Sequence, residues 1–159
     1  MLKGLLENKT CAKCRVCCGF DKTDLWEMPV MDISAVNRIK ELNHEADFQE
    51  KGNGFLVKAP QLEGEELYFC PALGENGCVL GNDKPFDCRI WPYRIMDVSG
   101  KNAITISPVC NELYNRPLSS LIGFLENGLA DFIFDFAKKH PEVIKKYDKS
   151  YPVLKFDME

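Results

Sequence analysis

No stretch of this chain approaches the roughly 18 consecutive apolar residues that a membrane-spanning helix needs, so a transmembrane protein is not expected. The opening residues Met1-Leu2-Lys3-Gly4-Leu5-Leu6 hold too short an apolar run for a secretory signal and lack a small-residue cleavage site. The cytoplasm is the expected compartment. Basic charge is not in excess: 20 Lys and Arg face 24 Asp and Glu, for a net charge of -4. The basic residues are spread among the acids, so the field repels a phosphate backbone and nucleic acid is not an expected partner. Histidine is scarce. His44 lies in a polar stretch and His140 just before Pro141, and both read as surface residues rather than ligands. The chain also has no Gly-rich strand-to-helix turn of the dinucleotide-binding kind, no internal repeat and no low-complexity segment.

What the chain does have is an ample core and an excess of cysteine. Of its 159 residues, 45% are hydrophobic and 11% aromatic, which suits one domain over 1–159. Within it, a metal-binding part over 11–110 and a helical part over 116–150 are expected. Eight cysteines in a reducing compartment point to metal ligation rather than to disulfides, since a core of this size needs no covalent staples.

The expected fold class is α+β, with small antiparallel hairpins and two to four helices around a cysteine-ligated metal centre. Cys11 to Phe20 is too crowded with thiols for an ordinary amphipathic helix and reads as a ligand-bearing loop. Over 30–42, Ile33, Val36, Ile39 and Leu42 recur on one helical face, with Asp32 as N-cap. The β-favouring runs 54–60 and 66–70 suggest paired strands, and 93–98 with 103–106 suggest a hairpin through Ser99-Gly100-Lys101-Asn102. Cys70 to Cys88 is rich in Gly, Pro, Asn and Asp and shows no period, so a loop held by something other than ladders is expected. From Leu118 to Lys139, Leu121, Ile122, Leu125, Leu129, Phe132, Ile133 and Phe136 follow helical spacing until Pro141. A short helical stretch and a polar tail end the chain.

The opening cysteines have the spacing C-x2-C-x2-C-C at Cys11, Cys14, Cys17 and Cys18, and four more follow at Cys70, Cys78, Cys88 and Cys110. Two intervening residues let a tight turn aim both sulfurs at one centre. Three such sulfurs can converge at 11, 14 and 17, with a distant fourth, as in bacterial ferredoxins. Cys18 sits next to Cys17 on a diverging side chain, so it is expected to serve a second centre or none. Eight thiols then divide into Cys11, Cys14, Cys17 with one remote cysteine, and Cys18 with three. Cys110, alone after a strand, also reads as a buried small hydrophobe. All-thiolate sites suit both iron and zinc. A zinc site usually comes as two CxxC pairs, and no second pair exists here, so one or two 4Fe-4S clusters are expected, with zinc as the alternative.

These residues resemble a known family. After C-x2-C-x2-C-C come Cys70, seven residues, Cys78, nine residues, and Cys88-Arg89 followed by Trp91-Pro92-Tyr93. The arrangement is similar to the zinc- or iron-chelating cysteine-cluster family of the YkgJ type, which flagellin lysine N-methylase also resembles. The likeness covers Cys11 to Cys110 and implies that all eight cysteines are ligands. Two departures stand out: Lys84-Pro85 replaces an Arg-Pro, and Cys110-Asn111-Glu112 replaces a Cys-Pro-Gly. The chain lacks the CxxxCxxC spacing of radical enzymes that use S-adenosylmethionine, so radical chemistry is not expected.

Arg89 adjoins a ligand and could place its guanidinium toward an anionic cluster. Trp91 and Tyr93 read as core side chains opening a strand, followed by Arg94. The acids Asp21, Asp24, Glu27, Asp83 and Asp87 flank the motifs and read as solvated loop carboxylates. The expected role is an iron-sulfur protein that moves electrons or assists a partner or redox enzyme. The alternatives are a metal-dependent group-transfer enzyme such as a protein lysine methylase, and a structural zinc module.

Overall fold

A computed structural model describes residues 2, 4–21, 26–58 and 67–158. The chain divides into two compact units, Met1–Arg89 and Ile90–Glu159. The α+β class is as expected, with small, mostly antiparallel sheets and, among the described residues, five α-helices. Among the described residues, no helix is long and apolar enough to cross a membrane.

The first unit opens with helix α1 (Asn8–Cys14), which has no apolar stripe. Arg15 ends it by entering the left-handed region at φ 59°, and its N–H returns to the Cys11 carbonyl at 3.1 Å. A tight helical turn, Val16–Cys18, leads into strand β1 (Gly19–Asp21). The cysteine motif is therefore mostly helical, not the loop that its crowded thiols suggest. Here local capping does what an amphipathic face usually does.

Helix α2 (Ile33–Leu42) begins as expected: the Ala35 N–H donates to the Asp32 carboxylate at 2.8 Å. Its buried face is Ala35, Val36 and Ile39. Burying an aliphatic side chain of the Val or Ile type contributes about 1.5–3 kcal/mol. Ile33 and Leu42 do not join that face, being 57% and 52% exposed. Steps of three fall behind a 3.6-residue turn, so positions nine apart end on opposite sides, about 180° around the axis.

Strands β2 (Asp47–Lys51) and β3 (Gly54–Lys58) form a hairpin around the two-residue loop Gly52-Asn53, with Gly52 at φ 57°. Gly54 is required by a close approach: a Cβ there would stand 2.5 Å from Val30 Cγ1 and 3.0 Å from the Met31 carbonyl. At this point Met31 and Phe55 exchange two backbone hydrogen bonds of 2.8 Å. Strand β4 (Leu67–Phe69) pairs with β1. The expected pairing of 54–60 with 66–70 is thus not made. The reason lies in loop closure, because a two-residue turn gives β3 a nearer partner. Residues 59–66, including Ala59, Pro60 and Glu66 of the expected strands, lie outside the described residues.

The stretch after Cys70 holds a small ladder after all, β5 (Leu73–Gly74) against β6 (Gly77–Cys78). A helical turn at Gly81–Asp83 and helix α3 (Phe86–Ile90) follow.

The second unit is built on a four-stranded sheet of β7 (Tyr93–Val98), β8 (Lys101–Ile106), β9 (Lys145–Lys146) and β10 (Val153–Phe156), ordered β10-β8-β7-β9. The expected β7–β8 hairpin forms, closed by Ser99-Gly100 at φ 57° and 84°. β9 departs from the antiparallel expectation by running parallel to β7, and the expected polar tail supplies β10. Helices α4 (Leu118–Phe124) and α5 (Ala130–Lys139) flank a widened turn where Asn127 and Gly128 leave helical geometry. Beyond it the buried residues are Ala130, Ile133, Phe134 and Ala137, while Phe132 is 42% exposed. Most of the expected apolar face has moved one residue along the chain, as an extra residue in a wide turn requires. The Tyr93 hydroxyl donates to the Leu121 carbonyl at 2.8 Å, tying α4 to the sheet.

Candidate metal centre

All eight cysteines are free thiols. Seven belong to the first unit and Cys110 to the second. The β1–β4 ladder aligns Gly19 with Phe69, which brings the preceding Cys18 beside the following Cys70. The Cys70 N–H donates to the Cys18 carbonyl at 2.8 Å. Two stretches some fifty residues apart in sequence are joined at their cysteines. Gly19 leaves room for the Phe69 ring, which a Cβ there would meet at 3.4 Å.

The adjacent Cys17 and Cys18 side chains lie within reach of a thiol–thiol hydrogen bond. That bond foremost pushes the Cys18 thiol far above the ordinary range; burial and negative charge at Cys17, Cys70 and Cys88 act the same way. The Cys70 thiol is pushed up to about 11, chiefly by burial, with Cys78 and Cys17 adding to it and the Ala72 N–H opposing. Charge at Cys17, Cys70 and Cys88 is thus felt at Cys18, and charge at Cys78 and Cys17 at Cys70, so thiols from three stretches influence one another electrostatically.

Cys11 and Cys14 lie on α1, Cys11 half-buried and Cys14 exposed. This helix packs on β6, which carries Cys78. The approach is close: a Cβ at Gly77, itself at φ 103°, would sit 3.3 Å from Ala12 Cβ. Arg15 spans the same junction, its Nε donating to the Ala12 carbonyl at 3.0 Å and its Nη2 to the Glu75 carbonyl at 3.1 Å.

Cys88 stands in α3, half-buried. Its neighbour Asp87 is fully buried, and its Oδ2 accepts the Val30 N–H at 3.1 Å. This corrects the reading of Asp87 as a solvated loop acid: the carboxylate anchors 26–31 to the start of α3. Asp83 is exposed and Glu27 half-buried, whereas Asp24 and the Asp21 side chain lie outside the described residues. Arg89 is exposed in the last turn of α3.

In the second unit Cys110 is 9% exposed at the start of a helical turn, its carbonyl accepting the Leu113 N–H at 3.0 Å. Trp91 and Tyr93 are buried core side chains, and the buried Arg94 guanidinium lies 4.7 Å from the Trp91 ring centroid. His44 is exposed, and His140 stacks on Phe136 at 4.4 Å with Nδ1 3.2 Å from Glu142.

As placed, no three His, Cys, Asp or Glu side chains among the described residues form a group that could hold a metal ion. The donor set fits one in chemistry: five neighbouring soft thiols, with no competing disulfide. Arg15 and Asp87 were invisible as site-building residues in the sequence; a left-handed helix end usually shows itself by glycine, and here arginine takes the position. Compared with family models, curated proteins and solved structures, the chain matches none.

Proposed function

We propose that this chain is a metal-thiolate protein in which cysteines of residues 11–88 hold a shared iron-sulfur centre, with an electron-transfer or accessory role beside a partner protein. The observation that supports it most is the joining of Cys18 to Cys70 through the β1–β4 ladder, which gathers thiols from separate stretches. Soft sulfur donors brought together without forming disulfides are what a tetrahedral all-sulfur site requires. Cys17, Cys18, Cys70 and Cys88 are the foremost ligands, with Cys78 beside Cys70 and with Cys11 and Cys14 on the helix that packs against β6. The C-x2-C-x2-C-C spacing and the resemblance to the YkgJ-type family support the same reading.

An iron-sulfur cluster supplies one-electron redox chemistry, tuned by burial and by hydrogen bonds to its sulfurs. The chain's own part is to hold thiolates, to give up their protons on ligation, and to limit water around them. Phe69, seated over Gly19 beside Cys18 and Cys70, is placed to help with the last. Four thiolates are also the donor set of a structural zinc site, which is the second reading.

The test is anaerobic purification of the full chain with iron, sulfide and zinc analysis. Iron with acid-labile sulfide, and a broad absorption near about 400 nm that dithionite bleaches, is the expected result. Zinc alone selects the second reading, and the absence of both metals ends the proposal.

A further inference from the structure

Resting on the reading above, we propose that Arg15 is a positioning residue: its guanidinium fastens the end of α1, with Cys11 and Cys14, to the β5–β6 hairpin that carries Cys78. Three observations carry this. The side chain donates to a carbonyl on each side of the junction, Ala12 on α1 at 3.0 Å and Glu75 in the hairpin turn at 3.1 Å. The backbones meet closely beneath it, where Ala12 stands against Gly77 and leaves almost no room for a side chain. Finally, Arg15 holds φ 59°, a conformation in which glycine is at ease and arginine is strained. In that conformation its side chain makes both of these hydrogen bonds.

The geometry explains why the clamp needs arginine. A planar guanidinium with donors on separate nitrogens can serve two carbonyls at once. Lysine offers a single ammonium at the end of a flexible stem and cannot reproduce both bonds with one fixed orientation. The cation also lies at the C-terminal end of α1, where positive charge is favoured by the helix dipole. Without the clamp the two-residue β5–β6 ladder, too short to be stable alone, is free to part from the helix. Cys78 would then separate from Cys11 and Cys14.

The variants Arg15→Gly and Arg15→Lys separate the contributions. Glycine accepts the left-handed backbone without strain, so Arg15→Gly removes the guanidinium and leaves the helix end intact. In the reduced, metal-free full chain, hydrogen exchange of the Gly77 and Cys78 amides is expected to rise about tenfold in Arg15→Gly, the size of one charge-assisted hydrogen bond. Exchange in α2 and in the β2–β3 hairpin should stay at the wild-type rate, with Arg15→Lys between the two. Titration with Co²⁺, followed by thiolate-to-metal absorption, is expected to show about tenfold weaker binding in Arg15→Gly. Unchanged exchange at Gly77 and Cys78, or an equal rise across the whole unit, overturns the clamp. If the wild-type chain binds no Co²⁺ while the local exchange effect holds, the clamp stands and the metal reading falls.

Discussion

Asp87 offers the sharpest test of how the cysteine-bearing unit is held together. Its carboxylate is fully buried at the start of α3, one residue before Cys88, and accepts the Val30 N–H at 3.1 Å. Val30 is itself only 6% exposed, so water cannot replace the lost acceptor. Asp87→Ala leaves a buried N–H without this partner, at a cost of about 1–3 kcal/mol. In a unit of this size each kcal/mol moves the melting midpoint by about 4–8 °C, so a drop of roughly 10 °C is expected. Asp87→Asn keeps an acceptor oxygen and should lose less than half as much. The assay is thermal unfolding of the reduced, metal-free full chain followed by circular dichroism, with hydrogen exchange at Val30 as the local readout. A change in Asp87→Ala no larger than the about 0.5 kcal/mol of an ordinary surface substitution refutes the anchoring role.

Other outcomes follow from single positions. Gly54→Ala drives a methyl against Val30 and the Met31 carbonyl, and chemical denaturation should show a loss of about 1–3 kcal/mol. Gly128→Ala meets no neighbour, so only its φ of 91° matters, and a loss of about 1–2 kcal/mol is expected in the same measurement. Burial pushes the Tyr93 phenol up to about 12, above the ordinary tyrosine value of about 10. The folded state then holds the proton more tightly than the unfolded one. The stability this contributes is whole below about pH 10 and fades as pH rises toward 12. Tyr93→Phe removes the hydrogen bond to the Leu121 carbonyl and should cost about 0.5–1.5 kcal/mol at neutral pH. Urea unfolding of both proteins should show that difference shrinking above about pH 10.

The parts of the fold legible in the sequence are those in which local chemistry decides. Asp32 caps α2 because its carboxylate reaches the third residue on, and the β7–β8 hairpin closes on Gly100, a residue suited to a left-handed turn. Pro141 stops α5 for an equally local reason. The errors arise where distant partners compete. β4 finds β1 across nearly fifty residues, and nothing in Leu67–Phe69 names Gly19–Asp21 as its mate. β2 is half charged, Asp47-Phe48-Gln49-Glu50-Lys51, and lacks the apolar alternation of a core strand. Its one signal was the two-residue Gly52-Asn53 loop. Gly128 lies within the break in the long helix, and the shift of the buried face from Phe132 toward Phe134 depends on the wide turn itself.

The candidate site divides in the same way. Cysteine spacing pointed to ligands, and the structure adds that Cys18 is joined to Cys70 through the β1–β4 ladder. Which thiol faces which could not be read, because spacing along the chain does not fix how separate stretches meet. The burial of Asp87 was likewise hidden, since a carboxylate in a Gly- and Pro-rich stretch carries no mark of the N–H it will accept.

Thiol protection, residue by residue, tests most directly whether these sulfurs share a metal. The anaerobically purified full chain is treated with an alkylating agent before and after metal is stripped by acid and chelator, and each cysteine is read by mass spectrometry. Shared ligation predicts that Cys17, Cys18, Cys70 and Cys88 are shielded together at first and become reactive together once the metal is gone. Equal labelling of these four before and after stripping contradicts it.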